Sequence, residues 1–171
     1  QKELLKLHFG DDTGIKIIGM RTDEKFIKTS FKSNKRYDIV FHGENHEAKG
    51  IEYILKLAQN LLNYNILIPC DRKEVEVKVP ISKNIIFKKM DWDSGLKIEV
   101  ENAGLVINPS IWSSAVEGAL LKSIFYNGNV AVINTKYGFV NDIPNEILLK
   151  LTYDMKHSAK IIETFFVKKI D

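Results

Sequence analysis

Short apolar runs recur along this chain with amphipathic stretches between them, and that alternation restricts the fold more than any other feature. "IKIIGM" (15 to 20), "DIVFHG" (38 to 43), "YNILIPC" (64 to 70), "NIIFKKM" (84 to 90), "GLVINPS" (104 to 110) and "NVAVIN" (129 to 134) have the length and β-branched character of strands. Between them, "KGIEYILKLAQNLL" sets Ile51, Ile54, Leu55, Ala58, Leu61 and Leu62 at helical spacing, and "DSGLKIEVENA" and "EGALLKSIFYN" read as further helices. A weak strand "ILLKLTY" precedes a closing helix in which Met155, Ala159, Ile162 and Phe166 share a face. Residues 71 to 82 alternate valines with charges, as an edge strand or an extended loop would.

Strands that are apolar on both sides need cover on both sides, and parallel pairing needs crossovers. The expected fold is therefore α/β, a Rossmann-like parallel sheet with helices on both faces. A chain of 171 residues fits one domain spanning 1–171, with no internal repeat or low-complexity linker. No apolar run reaches the length needed to cross a bilayer. A net charge of +3, with acids interspersed among the lysines, gives little support to nucleic-acid binding and leaves small anions as plausible partners. Cys70 is the only cysteine, so there is no internal disulfide and no cysteine-only metal site, and a cytoplasmic setting is expected. The opening "QKELLKLHFG" is not a signal peptide, and the chain reads as a piece of a longer one.

In parallel α/β sheets, ligands bind beyond the carboxyl ends of the strands, where loops enter helices whose free amides favour anions. Three loops qualify: "HGENHEAKG", "KKMDWDSG" and "NPSIWSSAVEG". Gly118 lets the backbone approach a ligand, and Glu117 can accept hydrogen bonds from hydroxyls. A lysine at a helix start, as expected for Lys49, is mildly unfavourable unless an anion is near. "DWDS" (91 to 94) suggests a metal-binding acidic pair, but reads better as a turn with Asp93 or Ser94 capping the next helix and Gly95 weakening its start. "HGENH" brings His42, Glu44 and His46 close in sequence without the helical spacing or third ligand of a zinc site, so no metal is expected. Trp112 reads as a rim packing residue with a ring suited to stacking on a base or sugar, and Lys122 as a weaker candidate.

The order of these pieces resembles the C-terminal, nucleotide-sugar-binding domain of retaining glycosyltransferases built from two Rossmann-like domains. The resemblance runs from about Asp38 to the end. It is carried by "DIVFHGENHEAKGIEYILKLAQNL", then "NILIP", "NIIFKKM" and "ENAGLVINPSIW", and last "EGALLKSIFYNGNVAVI". It implies a donor-binding domain for a nucleotide-diphosphate sugar, transfer with retention of configuration, no separate cofactor, and a missing N-terminal acceptor domain. Lys49 then stands where the family's diphosphate-binding lysine lies, Gly43 at the strand end, and Gly118 and Ala119 where loop amides approach the donor. Glu117 falls near the sugar. Two positions depart from the family: its arginine is here Glu44, and its ribose-binding glutamate is here Ser123. A domain that has lost donor chemistry and serves as an interaction module is the alternative. Peripheral membrane contact through the closing helix, with Lys160, Lys168 and Lys169 beside Phe165 and Phe166, is a third expectation.

Overall fold

A computed structural model describes residues 10, 36–76, 78–112, 116–136 and 138–169. The strand expected at 15 to 20 lies outside them. Within them, β1 (Ile39–Phe41), β2 (Ile66–Ile68), β3 (Ile85–Phe87), β4 (Leu105–Asn108), β5 (Val130–Ile133) and β6 (Leu148–Leu151) form one six-stranded sheet. Its order is β3-β2-β1-β4-β5-β6 and every neighbouring pair is parallel. The helices are α1 (Ile51–Ala58), α2 (Lys97–Asn102), α3 (Gly118–Tyr126) and α4 (Met155–Val167). The expected Rossmann-like α/β fold is what the chain adopts. Between 71 and 82 the described residues contain a short 3-10 turn, Arg72–Glu74, and no strand, so the extended-loop alternative holds there.

Strand alternation sorts the apolar residues onto two faces. Ile39, Phe41, Ile66, Ile68, Leu105 and Ile107 share one buried cluster with Ile54, Leu57 and Ala58 of α1 and with Ala159, Ile162 and Phe166 of α4. Val40, Leu67 and Val106 point the other way, onto Leu96, Val100 and Ala103 beside α2. Val130, Val132 and Leu148 meet Leu120 of α3. Each fully buried side chain of this kind contributes on the order of 1.5–3 kcal/mol, so the two-sided burial holds the sheet and fixes where its loops emerge. Phe166 stacks on Tyr64, with ring centroids 4.8 Å apart, and is thereby taken from the face proposed for membrane contact. No helix among the described residues is long and apolar enough to cross a membrane.

The "DWDS" turn is a structural device. Asp91, rather than Asp93 or Ser94, is the capping residue, and it caps the turn Trp92–Leu96 that leads into α2: its carboxylate accepts from the Ser94 amide at 2.8 Å, and the Ser94 hydroxyl accepts from the Asp91 amide at 2.8 Å. Gly95, at φ 127°, breaks the helical path before α2, as its place in the sequence suggested. Hydrogen bonding from the Ser94 side chain, and then from its amide, holds the Asp91 carboxyl below its ordinary value.

Candidate functional site at the β1–β4 switch

The strand order reverses direction between β1 and β4, so the loops after these strands leave on opposite sides and part at their carboxyl ends. A cleft of about 240 Å³ opens there. From the β1 side it is lined by His42, Gly43, Glu44 and Lys49, and from the β4 side by Asn108, Ser110, Val116, Glu117, Gly118 and Ala119. Five of the residues expected from sequence, Gly43, Lys49, Glu117, Gly118 and Ala119, are thus brought together. Ser123 is not. It is fully buried one turn inside α3 and does not line the cleft.

The two loops are fastened to each other by backbone. Gly50, at φ 82°, lies so close to Pro109 that a Cβ placed there would sit 2.1 Å from the Pro109 carbonyl oxygen. The Ile111 amide donates to the Ala48 carbonyl at 2.9 Å. Lys49 ends a 3-10 turn, Glu47–Lys49, capped by His46, and α1 begins only after Gly50. Lys49 thus closes its own short turn and stands immediately before the N-cap of α1, at a helix start as expected, where an ammonium is mildly unfavourable unless an anion is near. An anion is beside it. Its Nζ lies 3.1 and 3.0 Å from the two carboxylate oxygens of Glu117, and Glu117 Oε1 also accepts from the Ser110 hydroxyl at 3.0 Å.

Glu117 holds the N-cap position of α3 but makes no capping hydrogen bond with its side chain. The carboxylate has turned from its own helix to the opposite loop. Its side chain is 10% exposed and that of Lys49 26%, so the pair is shielded well beyond an ordinary surface ion pair. Glu44 is exposed on the rim, with no side-chain partner among the described residues.

Beneath the pair lies a polar layer that the sequence reading left out. The Asn108 carboxamide donates to the His42 carbonyl, while its Oδ1 is buried without a partner. His42 Nδ1 is 2.8 Å from Ser123 Oγ, and Oγ is 2.8 Å from the Ala119 carbonyl. One hydroxyl proton satisfies both contacts only if Ser123 donates to Ala119 and receives from Nδ1–H, which leaves Nε2 as an acceptor. Burial, aided by the Lys122 ammonium, pushes the His42 imidazole down to about 4, so it is neutral at pH 7. Its ring stacks on Trp92 at 5.3 Å, and Lys122 lies 4.6 Å over the same indole. Lys122 is thus spent on Trp92. Trp112 is 55% exposed and borders a small recess of about 20 Å³ beside the cleft.

His42, Asn108 and Ser110, together with the apolar Val116, are cleft residues that sequence reasoning did not assign to it. The signal for the first three was a polar residue closing or just following an apolar strand, in "IVFH" and "VINPS". His42 and His46 are committed to different partners, Ser123 and the Ala48 amide, and the described residues contain no group of three or more His, Cys, Asp or Glu placed to hold a metal. The fold and its cleft define a Rossmann-like α/β domain with a polar site at the topological switch. Comparison with protein-family models, with curated proteins and with solved structures gives no match to this chain.

Proposed function

We propose that this domain is the donor-binding half of a retaining glycosyltransferase, taking a nucleotide-diphosphate sugar in the β1–β4 cleft for transfer to an acceptor held by a second domain. One observation carries the reading: Lys49, Gly118 and Ala119, which the family resemblance assigns to the donor, line one cleft at the switch point although they come from two distant loops. The N-terminal amides of α3 have no side-chain cap. Together with the Lys49 ammonium they would stabilise the charge that develops on a departing diphosphate.

A second reading, a non-catalytic ligand- or protein-binding module, is favoured by a different observation. Lys49 is already neutralised by Glu117, and Ser123 is buried on His42 instead of facing a ribose. Calorimetry with uridine, guanosine and adenosine diphosphates and their glucose conjugates separates the two. The donor reading expects weak saturable binding that a chelator does not change. Absence of heat with every ligand at millimolar concentration would leave the module.

A further inference from the structure

We propose that Glu117 is a built-in counter-anion that sets the specificity of the cleft: its carboxylate occupies the Lys49 ammonium, so a bare phosphate group must displace it, whereas a ligand bearing hydroxyls can engage it. This rests on the reading of the cleft as a nucleotide-sugar site and adds what that site rejects.

Three features point the same way. Lys49 Nζ meets both carboxylate oxygens at 3.1 and 3.0 Å, and Ser110 donates to one of them at 3.0 Å, so the carboxylate is held where a ligand's anionic group would otherwise meet the lysine. The charged side chains around the cleft are one cation, Lys49, against two carboxylates, Glu44 and Glu117, so with His42 neutral the lining sums to −1. Such a lining opposes a multiply charged phosphate at short range. Its uncommitted side-chain atoms are acceptors, beside the uncapped backbone amides of α3: Asn108 Oδ1 is buried and unpartnered, and His42 Nε2 has no hydrogen-bond partner among the described residues. A carboxylate that already accepts from the Ser110 hydroxyl can accept from a sugar hydroxyl too, a donor that a fully ionised pyrophosphate does not offer.

The test is calorimetric titration of the full chain with inorganic pyrophosphate, comparing the parent with Glu117→Gln and Glu117→Asp. Removing the charge should tighten pyrophosphate binding by about tenfold or more, an effect that added salt reduces, while Glu117→Asp stays close to the parent. Glu117→Ser carries the same expectation as Glu117→Gln, and far-ultraviolet circular dichroism verifies that each variant is folded. Equal or weaker binding by the neutral variants, or no binding by any of them, would overturn the proposal. Parallel titrations with nucleotide sugars keep the two readings apart. If the parent binds a nucleotide sugar but Glu117→Gln gains nothing for pyrophosphate, the counter-anion falls and the donor site stands. If Glu117→Gln gains pyrophosphate while the parent takes no nucleotide sugar, the reverse holds.

Discussion

Helices α3 and α4 each begin behind an acidic residue, and the two carboxylates serve different ends. At α4, Asp154 accepts from the Lys156 amide at 2.9 Å and the His157 amide at 3.0 Å, a local cap that satisfies donors its own helix leaves free. At α3, Glu117 leaves those donors uncapped and reaches across to Lys49, 68 residues away in sequence. Glutamate is not among the strong N-cap residues, so this carboxylate gains little from its own helix and must gain its stabilisation elsewhere. Here it gains it from a shielded ammonium and a serine hydroxyl. The start of α4 is a local structure, while the start of α3 is tertiary and exists only while the β1 and β4 loops are held together.

That contrast is broken most severely at Gly50. An alanine there needs a left-handed backbone and drives its Cβ into the Pro109 carbonyl, so the two loops must part. Gly50→Ala should destabilise the domain by about 3–5 kcal/mol, strain and overpacking combined. Urea unfolding measures the loss. Pyrophosphate or nucleotide binding should fall with it, whereas the α4 start, far from the clash, should be unaffected. A loss under about 1 kcal/mol would mean that the two loops are not locked and that α3 begins as independently as α4.

The pH dependence of stability sharpens the same contrast. The unfolded chain binds a proton at His42 near pH 6.5, but the folded chain refuses it down to about pH 4. The His42 contribution is therefore complete above pH 6.5 and is lost as the pH falls toward 4, by up to about 3 kcal/mol. Asp154 behaves differently. Its hydrogen bonds from the His157 and Lys156 amides lower its carboxyl, so its contribution persists above the unfolded value of 3.8 and fades only as the pH falls below it. Denaturation at a series of pH values should show a loss between 6.5 and 4 that His42→Gln removes and Asp154→Asn leaves in place. The same loss in His42→Gln would show that the imidazole is not held neutral.

How much of this was visible in the chain follows from which interactions are local. The sheet and its two-sided cover were legible because "IVF", "ILI" and "LVI" are apolar at every position, and only a sheet covered on both faces buries them all. The strands are shorter than their apolar runs: Ile39–Phe41 is three residues within "DIVFHG", since His42 and Gly43 already turn into the cleft loop. Lys49 and Glu117 were each singled out, but their pairing was not. Nothing within a few residues of either reports a contact across 68 positions. The cap was misplaced from Asp91 to Asp93 or Ser94 because several side chains in "DWDS" can cap, and backbone geometry selects among them. Ser123 was read through the family position it occupies. Its burial against His42 depends on the approach of β1 to α3, which local sequence does not encode.

A smaller and more selective change is Lys49→Met. It keeps the length of the side chain and removes the charge, leaving Glu117 with Ser110 as its only hydrogen-bond donor among the described residues, in a site where its side chain is 10% exposed. The expected loss is about 1–2 kcal/mol, below that for a fully buried pair because Lys49 still meets solvent. Combining it with Glu117→Gln should recover part of that loss, since the stranded carboxylate is then gone. A double-mutant cycle reports the coupling directly. Strict additivity would reduce the pair to two neighbours without mutual stabilisation, and the α3 start would then have no more tertiary character than that of α4.

The smallest effect belongs to the capped helix. Asp154→Ala removes acceptors from the Lys156 and His157 amides, both exposed to water, which can replace the lost carboxylate. A slight fall in the urea midpoint is expected, smaller than that of Lys49→Met. The buried contacts of Ser158, whose hydroxyl accepts from the Thr152 amide at 2.9 Å, should hold the first turn in place. Asp154→Ser should restore the midpoint, because a serine hydroxyl can accept from the same amides. Nucleotide and pyrophosphate titrations should be unchanged in both variants. A change in ligand binding on Asp154→Ala would show that the start of α4 communicates with the β1–β4 cleft, and the division between a local cap and a tertiary one would have to be abandoned.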